Sequence, residues 1–154
     1  MTFTDTNWLA AMFFTLEDKL AVRNKIVGDF LRKHNGQFAV SEIVMLEVER
    51  VFRHQAGEPN PEELIQLKND QRFYRDPMNW SLVKREAVEL FKRYAHKAGI
   101  GTFDTTLLAS AKLAGMTKLL TFDEGLKALA CAEGIEVYPP LAGEGKKILA
   151  QLKD

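Results

Sequence analysis

Short apolar runs and longer amphipathic stretches alternate along the chain. The short runs are rich in β-branched residues, Phe or Leu and are bounded by Gly, Pro, Asn, Asp or Ser, which favours buried strands. The longer stretches carry apolar residues three and four positions apart, the spacing of one helix face. We predict strands at residues 1–4, 37–40, 117–121 and 135–138. Because strands and helices alternate, the pattern indicates βαβ units and a parallel sheet.

The predicted helices have recognisable starts and stops. We expect helices at residues 7–14, 17–33, 42–55, 62–70, 81–97 and 124–133, one more between Thr102 and Gly115, and a docking tail from Gly145. Two apolar residues of these helices, Leu82 and Leu113, are expected to be buried. Residues 71–80 could contain a short edge strand, where Pro77 is tolerated. Residues 57–61 form the clearest break, but it is too short for a domain linker.

Several carboxylates fall where these elements begin or end. Asp5 follows the first strand and suits the N-cap of the next helix. Asp104 lies in the first turn of the helix that Thr102 could cap, and Asp123 comes just after the strand at 117–121. In an open α/β sheet, ligands bind beyond the carboxyl ends of the strands, so these acids are expected to face one crevice if the topology brings the strands together.

Glu47 is the most informative acid in the pattern. It comes four residues after Ile43, three after Val44 and four before Val51, so it shares the apolar face of its helix. A carboxylate on a buried face is costly unless it is paired or coordinates a metal. Together with Asp5, Asp104 and Asp123, it could bind one or two divalent ions such as Mg²⁺ or Mn²⁺, which prefer oxygen ligands.

Each acid also has a purely structural interpretation. Asp5 and Asp123 suit helix N-caps, and Asp104 suits the positive end of a helix dipole. Glu47 could pair with an arginine at the rim of the crevice. The occurrence of all four acids at such positions favours the metal site over these separate explanations.

The composition is that of an ordinary globular chain. Of 154 residues, 46% are hydrophobic and 27% charged, which predicts a single domain, residues 1–154. Lys plus Arg and Asp plus Glu both number 21, so nucleic-acid binding would need a local basic patch. The only cysteine, Cys131, excludes a disulfide framework and is expected to be a small buried hydrophobe. We find no signal peptide or apolar run of about 18 residues, so we expect a cytoplasmic protein without a membrane span.

Several other chemistries lack their residues. The three histidines, His34, His54 and His96, share no metal-ligand spacing, and neither phosphate-binding glycine motif is present. Ser41 has no neighbouring base for nucleophilic catalysis. A phosphatase of the haloacid-dehalogenase type would have Asp-x-Asp after its first strand, but Asn7 stands at the third position and removes the acid–base partner.

Four segments carry a resemblance to a known family. They are TDTNWL at 4–9, SEIVMLEVERV at 41–51, GTFDTTLLASAKLAG at 101–115 and LLTFDEGLKAL at 119–129. In order and spacing they resemble a PIN domain, most of all the VapC-type toxins of bacterial toxin–antitoxin pairs. The resemblance implies a three-layer α/β/α fold around a parallel sheet of four or five strands. It also implies a metal-dependent ribonuclease, commonly a homodimer, with an antitoxin protein as a partner.

Residue roles follow from the same resemblance. The acidic cluster falls on Asp5, Glu47, Asp104 and Asp123, with Asn7 and Thr121 as supporting polar residues. Asp5, Asp104 and Asp123 would hold Mg²⁺ or Mn²⁺ directly, and Glu47 would add a ligand or hold a water. The sequence departs from the family in its less apolar first strand and in residues 57–80, which are longer than in many compact members.

Cations for the RNA backbone are a further expectation. Lys68, Arg72 and Arg75 alternate with the aromatic residues Phe73, Tyr74 and Trp80, a combination that can hold a nucleic-acid strand but equally forms a solvated face. Arg50 and Arg53 lie on the helix of Glu47. A rival hypothesis is a PIN-like module that binds RNA or protein without cutting. A toxin and a housekeeping nuclease both fit the sequence.

Overall fold

A computed structural model describes residues 1–54 and 59–154 of the chain. Within these ranges, five strands form one sheet in which every neighbouring pair is parallel. The strands are β1 Thr2–Thr4, β2 Phe38–Ser41, β3 Phe73–Asp76, β4 Lys118–Leu120 and β5 Glu136–Tyr138, in the order β3-β2-β1-β4-β5. The predicted parallel sheet is confirmed, and β3 is the edge strand anticipated before Pro77.

Helices cover both faces of this sheet. They are α1 Thr6–Phe13, α2 Ala21–Lys33, α3 Glu42–Arg53, α4 Pro61–Asn69, α5 Trp80–Tyr94, α6 Thr102–Leu113, α7 Glu124–Ala132 and α8 Gly143–Lys153. A 3₁₀ turn, Asp18–Leu20, precedes α2. None of the helices in the described part of the chain has the length and apolar character needed to cross a bilayer.

The core lies on the two sides of the sheet. Successive strand residues point to opposite faces, so Leu119 and Leu120 of β4, both fully buried, enter different clusters. Leu119 packs in the larger cluster with side chains of α3 to α8, and Leu120 packs in the smaller one with Trp8 and with Val27 of α2. Sheet and helices therefore form the three-layer α/β/α arrangement that was predicted.

Some local predictions are wrong. Leu82 and Leu113 are 43% and 48% exposed. Leu82 lies about 100° around α5 from the buried row that begins at Val83, because successive helix residues are separated by that angle. Leu113 ends α6 and extends past the core. Cys131 is only half-buried.

The predicted helix ends differ slightly from those observed. Gly101, not Thr102, occupies the N-cap of α6. Ser41 does occupy the N-cap of α3, but its buried hydroxyl makes no hydrogen bond. Gly115 and Gly134 follow α6 and α7 with φ of 81° and 76°, a left-handed backbone that favours glycine, so these predicted stops are confirmed. The predicted end of α3 at residue 55 lies outside the described residues.

Candidate active site

The carboxyl edge of the sheet brings several polar helix starts together. β1 is the central strand, with β2 on one side and β4 on the other. Asp5 follows β1 directly and caps α1, and Asp123 follows β4 and caps α7. Glu47 projects from the helix that follows β2, and Asp104 lies in the first turn of α6. Four elements that are distant in sequence therefore deliver acids to one edge, as the parallel topology requires.

All four predicted acids line one cavity. Its volume is about 270 Å³, and Asp5, Glu47, Asp104 and Asp123 are among its lining residues. The structure thus brings together the complete set of acids that the sequence singled out, including Glu47 from the otherwise apolar face of α3.

Asp5 is the most constrained of these acids. It is only 5% exposed. One carboxylate oxygen, Oδ1, accepts a hydrogen bond of 2.7 Å from the backbone N–H of Thr6, and the other accepts one of 2.7 Å from the Thr121 hydroxyl. Burial raises the pKa of Asp5 to about 6, with the charges of Glu47 and Asp123 adding to the effect and the two hydrogen bonds opposing it.

Asp104 is half-buried at the start of α6. Burial, followed by the charges of Asp123, Asp5 and Glu47, raises the pKa of Asp104 to about 7. A carboxylate near the positive end of a helix dipole would ordinarily ionise more readily. The opposite result shows that burial and repulsion between like charges dominate in this cavity.

Thr121 connects two of the acids. Its hydroxyl donates to Asp5 Oδ2 and accepts a hydrogen bond of 3.1 Å from the backbone N–H of Asp123. Asn7 Oδ1 accepts a hydrogen bond of 3.0 Å from the N–H of Phe122, the residue between them. Both predicted supporting residues therefore contact the segment that leads from β4 to Asp123 and hold its backbone.

Asp123 caps α7 and still presents an accessible carboxylate. Its Oδ1 accepts a hydrogen bond of 2.9 Å from the N–H of Leu126, which caps α7. Gly125 leaves room for this carboxylate, because a Cβ there would lie 3.2 Å from Asp123 Oδ1. The cap uses one oxygen and the side chain remains exposed, so capping and ligand binding are compatible.

Glu47 has no cationic partner in the described part of the chain. It is half-buried on α3 between the fully buried Val44 and Val48, and within the described ranges no Lys, Arg or His lies within 4.0 Å of its carboxylate. The lysine and arginine that pair with α3 do so through Glu49. The alternative explanation, an arginine pair that satisfies Glu47, therefore has no support in the structure.

The donor chemistry of the cavity fits a hard divalent cation. Its acids supply only oxygen donors, and their mutual repulsion would be relieved by positive charge. Among residues 1–54 and 59–154, however, no three Asp, Glu, His or Cys side chains are close enough as they stand to hold an ion together. The four acids share one cavity, so binding an ion there would require their side chains to adjust.

The cations expected around RNA are distributed differently from the prediction. Lys68 pairs with Glu49, Arg72 makes a bidentate pair with Asp70, and Arg75 donates to the Lys68 carbonyl. None of these three residues lines the cavity that contains the four acids, which we call the acidic cavity. Arg50 does line it.

Sequence reasoning missed one cavity-lining cation, Arg23 of α2. The signal was present, because Arg23 comes four residues before Val27 and seven before Phe30, the two buried residues of the same helix face. Glu47 was identified by the same kind of spacing to apolar residues on its own helix.

Comparisons with known proteins agree with this geometry. The family model described as "PIN domain" matches residues 2–131. A comparison with curated proteins yields no match. Among solved structures, VapC20 of Mycobacterium tuberculosis, described as a sarcin-ricin loop cleaving toxin, is similar with a TM-score of 0.67 at 16% identity, over 83% of this chain and 94% of that chain.

Two further structures share the fold. FitAB bound to an IR36 DNA fragment has a TM-score of 0.64 at 17% identity, over 90% of this chain and 94% of that chain. A toxin–antitoxin complex from Klebsiella pneumoniae has a TM-score of 0.60 at 19% identity, over 83% of this chain and 91% of that chain. These likenesses concern the fold, whereas the family model extends from β1 almost to the end of α7, and the chain therefore belongs to the PIN domain family.

Proposed function

We propose that this chain is a metal-dependent ribonuclease that hydrolyses RNA phosphodiester bonds, and that it is the toxin of a type II toxin–antitoxin pair. The observation that carries the proposal is the convergence of Asp5, Glu47, Asp104 and Asp123 on one cavity. Membership of the PIN family supports a nuclease, and the similar VapC20 is described as a sarcin-ricin loop cleaving toxin.

In this proposal Asp5, Asp104 and Asp123 hold Mg²⁺ or Mn²⁺, and Glu47 adds a ligand or orients a water. When bound, such an ion supplies Lewis acidity, neutralises developing charge and lowers the pKa of a water. Thr121 keeps the Asp5 carboxylate and the Asp123 backbone in fixed positions. The depth of Asp5 keeps bulk water away from it, which strengthens its electrostatic interactions.

Partners and assembly form a second part of the proposal. We propose an antitoxin partner, because two of the similar structures are described as a toxin–antitoxin complex and as FitAB bound to DNA. We also propose that residues 1–154 form a single domain and that it assembles as a homodimer, as the family resemblance implies. Sedimentation of the purified chain alone tests the homodimer, and sedimentation with a candidate antitoxin protein tests the antitoxin partner.

The direct test is cleavage of RNA. We would incubate the protein with end-labelled structured RNAs, including transfer RNA and a sarcin-ricin loop hairpin, in Mg²⁺ or Mn²⁺. The expected result is cleavage that EDTA stops and that Asp104→Asn abolishes. Asp18→Asn is the matched control, because Asp18 is exposed and does not line the cavity. If no RNA is cut and calorimetry detects no Mn²⁺ binding, the rival hypothesis of a non-catalytic binding module replaces this one.

A further inference from the structure

Two arginines line the acidic cavity together with the four carboxylates. Arg23 comes from α2, which packs on one face of the sheet, and Arg50 comes from α3, which packs on the other. A phosphodiester that enters this cavity adds negative charge to a site that already repels it. Cations on the rim are therefore needed to hold the strand, beyond the ion that the acids would bind.

The Arg23 side chain is held in place by an aromatic stack. Its guanidinium carbon lies 5.0 Å from the centroid of the Phe122 ring. Phe122 stacks in turn on Trp8, with ring centroids 5.5 Å apart and an interplanar angle of 18°. Trp8 is fully buried, and Asn7 fixes the Phe122 backbone. Arg23 thus contacts an aromatic pair that is anchored in the core and adjoins Asp123, and this cation–π contact favours a position of the guanidinium at the cavity.

The two guanidinium groups have no ion-pair partner among residues 1–54 and 59–154. In the described part of the chain, neither Arg23 nor Arg50 lies within 4.0 Å of a carboxylate oxygen, whereas Arg53, Lys68 and Arg72 all form ion pairs. An arginine without a carboxylate partner keeps all its donors for a ligand, and its planar fork matches two oxygens of a phosphate.

We propose that Arg23 and Arg50 bind the phosphates of the RNA strand at the acidic cavity, with Phe122 as the residue that positions Arg23. This inference rests on the proposed ribonuclease function and assigns its substrate-binding cations. It places the strand between α2 and α3, across the mouth of the cavity. Residues 68–75, which the sequence suggested for this role, are not among the phosphate-binding residues of this proposal.

The competing explanation is that Arg23 only covers Phe122. A long cationic side chain can shield an apolar ring from water and keep its charge in solvent. In that case its removal would lower the melting temperature and leave RNA binding unchanged. Substitution with a shorter polar residue and with lysine separates the two explanations.

The experiment measures RNA binding by anisotropy in EDTA, where no cleavage occurs, with a labelled RNA that the wild-type protein cuts in Mn²⁺. We expect Arg23→Gln and Arg50→Gln each to weaken binding by about 5- to 50-fold and to lower the slope of log K against log salt by about 0.7, as for one lost phosphate contact on a single strand. The RNA affinity of Arg23→Lys should lie between those of wild type and Arg23→Gln. Lysine keeps the positive charge but lacks the planar guanidinium that can donate to two phosphate oxygens.

Lys25→Gln is the matched control. Lys25 lies on the same helix, is exposed and does not line the cavity, so its removal subtracts the same charge and should change affinity by less than about 2-fold. Phe122→Leu keeps an apolar side chain but removes the stack, and we expect it to weaken binding less than Arg23→Gln does. Equal binding by Arg23→Gln and Lys25→Gln, with normal cleavage by wild type, would overturn this inference alone. A wild-type protein that neither cuts nor binds RNA would instead overturn the proposed function, and this inference with it.

Discussion

Two clusters of acids lie at opposite ends of the same helices, and they are built in opposite ways. At the starts of α6 and α7, Asp104 and Asp123 face other carboxylates. At their ends, Lys112 of α6 contacts Glu133, which follows α7, at 2.5 Å and Glu86 of α5 at 2.8 Å. The first group belongs to the acidic cavity. We call the second group, which also includes Arg93 and Tyr94, the charge-matched cluster.

The pKa values express this difference. Burial alone would favour the neutral form of Glu133, but the hydrogen bonds of Lys112 and Tyr94 outweigh it and hold the pKa of Glu133 below its usual range. In the acidic cavity, burial and like charges raise the pKa of Asp104 to about 7. The charge-matched cluster fastens α5, α6 and α7 together, whereas none of the four acids of the acidic cavity forms an ion pair within the described residues. This contrast favours a site that takes its positive charge from outside the chain.

The largest expected effect is the loss of activity on removing one cavity acid. Asp104→Asn should lower the rate of RNA cleavage by about 10²–10³-fold, because it removes a charged group that acts directly at the site. The same change should raise the melting temperature by a few degrees, because it removes repulsion between buried like charges. Cleavage assays and thermal unfolding in EDTA check the two parts. Loss of activity together with strong destabilisation would make Asp104 a structural residue.

The charge-matched cluster should respond in the opposite way. Lys112→Met leaves Glu133 buried without its closest cation, and we expect the free energy of unfolding to fall by about 2–4 kcal/mol. Cleavage per folded molecule should change by less than about 3-fold, because Lys112 does not line the cavity. Urea unfolding measures the first effect, with Lys84→Met as the control on the exposed face of α5. A Lys112→Met protein as stable as the control would show that this cluster contributes little.

The pH dependence of stability also distinguishes the acidic cavity from the charge-matched cluster. In the folded chain the pKa of Asp5 is raised to about 6 and that of Asp104 to about 7, from an ordinary value of 3.8. The stability that protonated Asp5 and Asp104 contribute to the fold is therefore fully present below about pH 3.8. It is lost as the pH rises through their folded-state pKa values. We expect the free energy of unfolding in EDTA to fall by about 2–4 kcal/mol between pH 4 and pH 8.

The charge-matched cluster does not produce this fall, because the lowered pKa of Glu133 places its loss of stability at more acidic pH. Asp104→Asn should flatten the profile between pH 4 and pH 8, and saturating Mn²⁺ should restore stability at pH 8. A wild-type profile that rises steadily over this range would contradict the raised pKa values.

The smallest effect concerns Thr121, which joins two acids of the cavity. Thr121→Val keeps the shape of the side chain but removes the donor to Asp5 and the acceptor for the Asp123 N–H. We expect about a 5- to 20-fold loss of cleavage and a loss of about 1–2 kcal/mol in stability. Thr102→Val, on an exposed threonine at the start of α6 that does not line the cavity, is the matched control. Equal activity in the two variants would remove Thr121 from the site.

Much of this arrangement follows from local rules. Asp5 and Asp123 come directly after strands in the sequence, and a parallel sheet then brings them to one edge. Glu47 could be identified by its spacing alone. The roles of these acids stay predictions until they are tested.

Other features depend on tertiary packing that spacing does not encode. The helix period indicates that Arg23 faces inward, but only the packing of α2 places it beside the acids. The cluster of Lys112, Glu86 and Glu133 joins the ends of α6 and α7 to the middle of α5, and these residues are far apart in sequence. Leu82 looked like a core residue because it is apolar and adjacent to the buried row, yet the row is narrower than predicted and leaves it exposed.

The presence of a metal site in the acidic cavity can be tested by calorimetric titration of the wild-type protein with Mn²⁺ at pH 7.5, beside Asp104→Asn and Asp18→Asn. We expect saturable binding of one or two ions by wild type and by Asp18→Asn, and a large loss of affinity in Asp104→Asn. Absence of Mn²⁺ binding by a folded wild-type protein, or equal binding by all three proteins, would contradict the claim that the acidic cavity holds a metal ion.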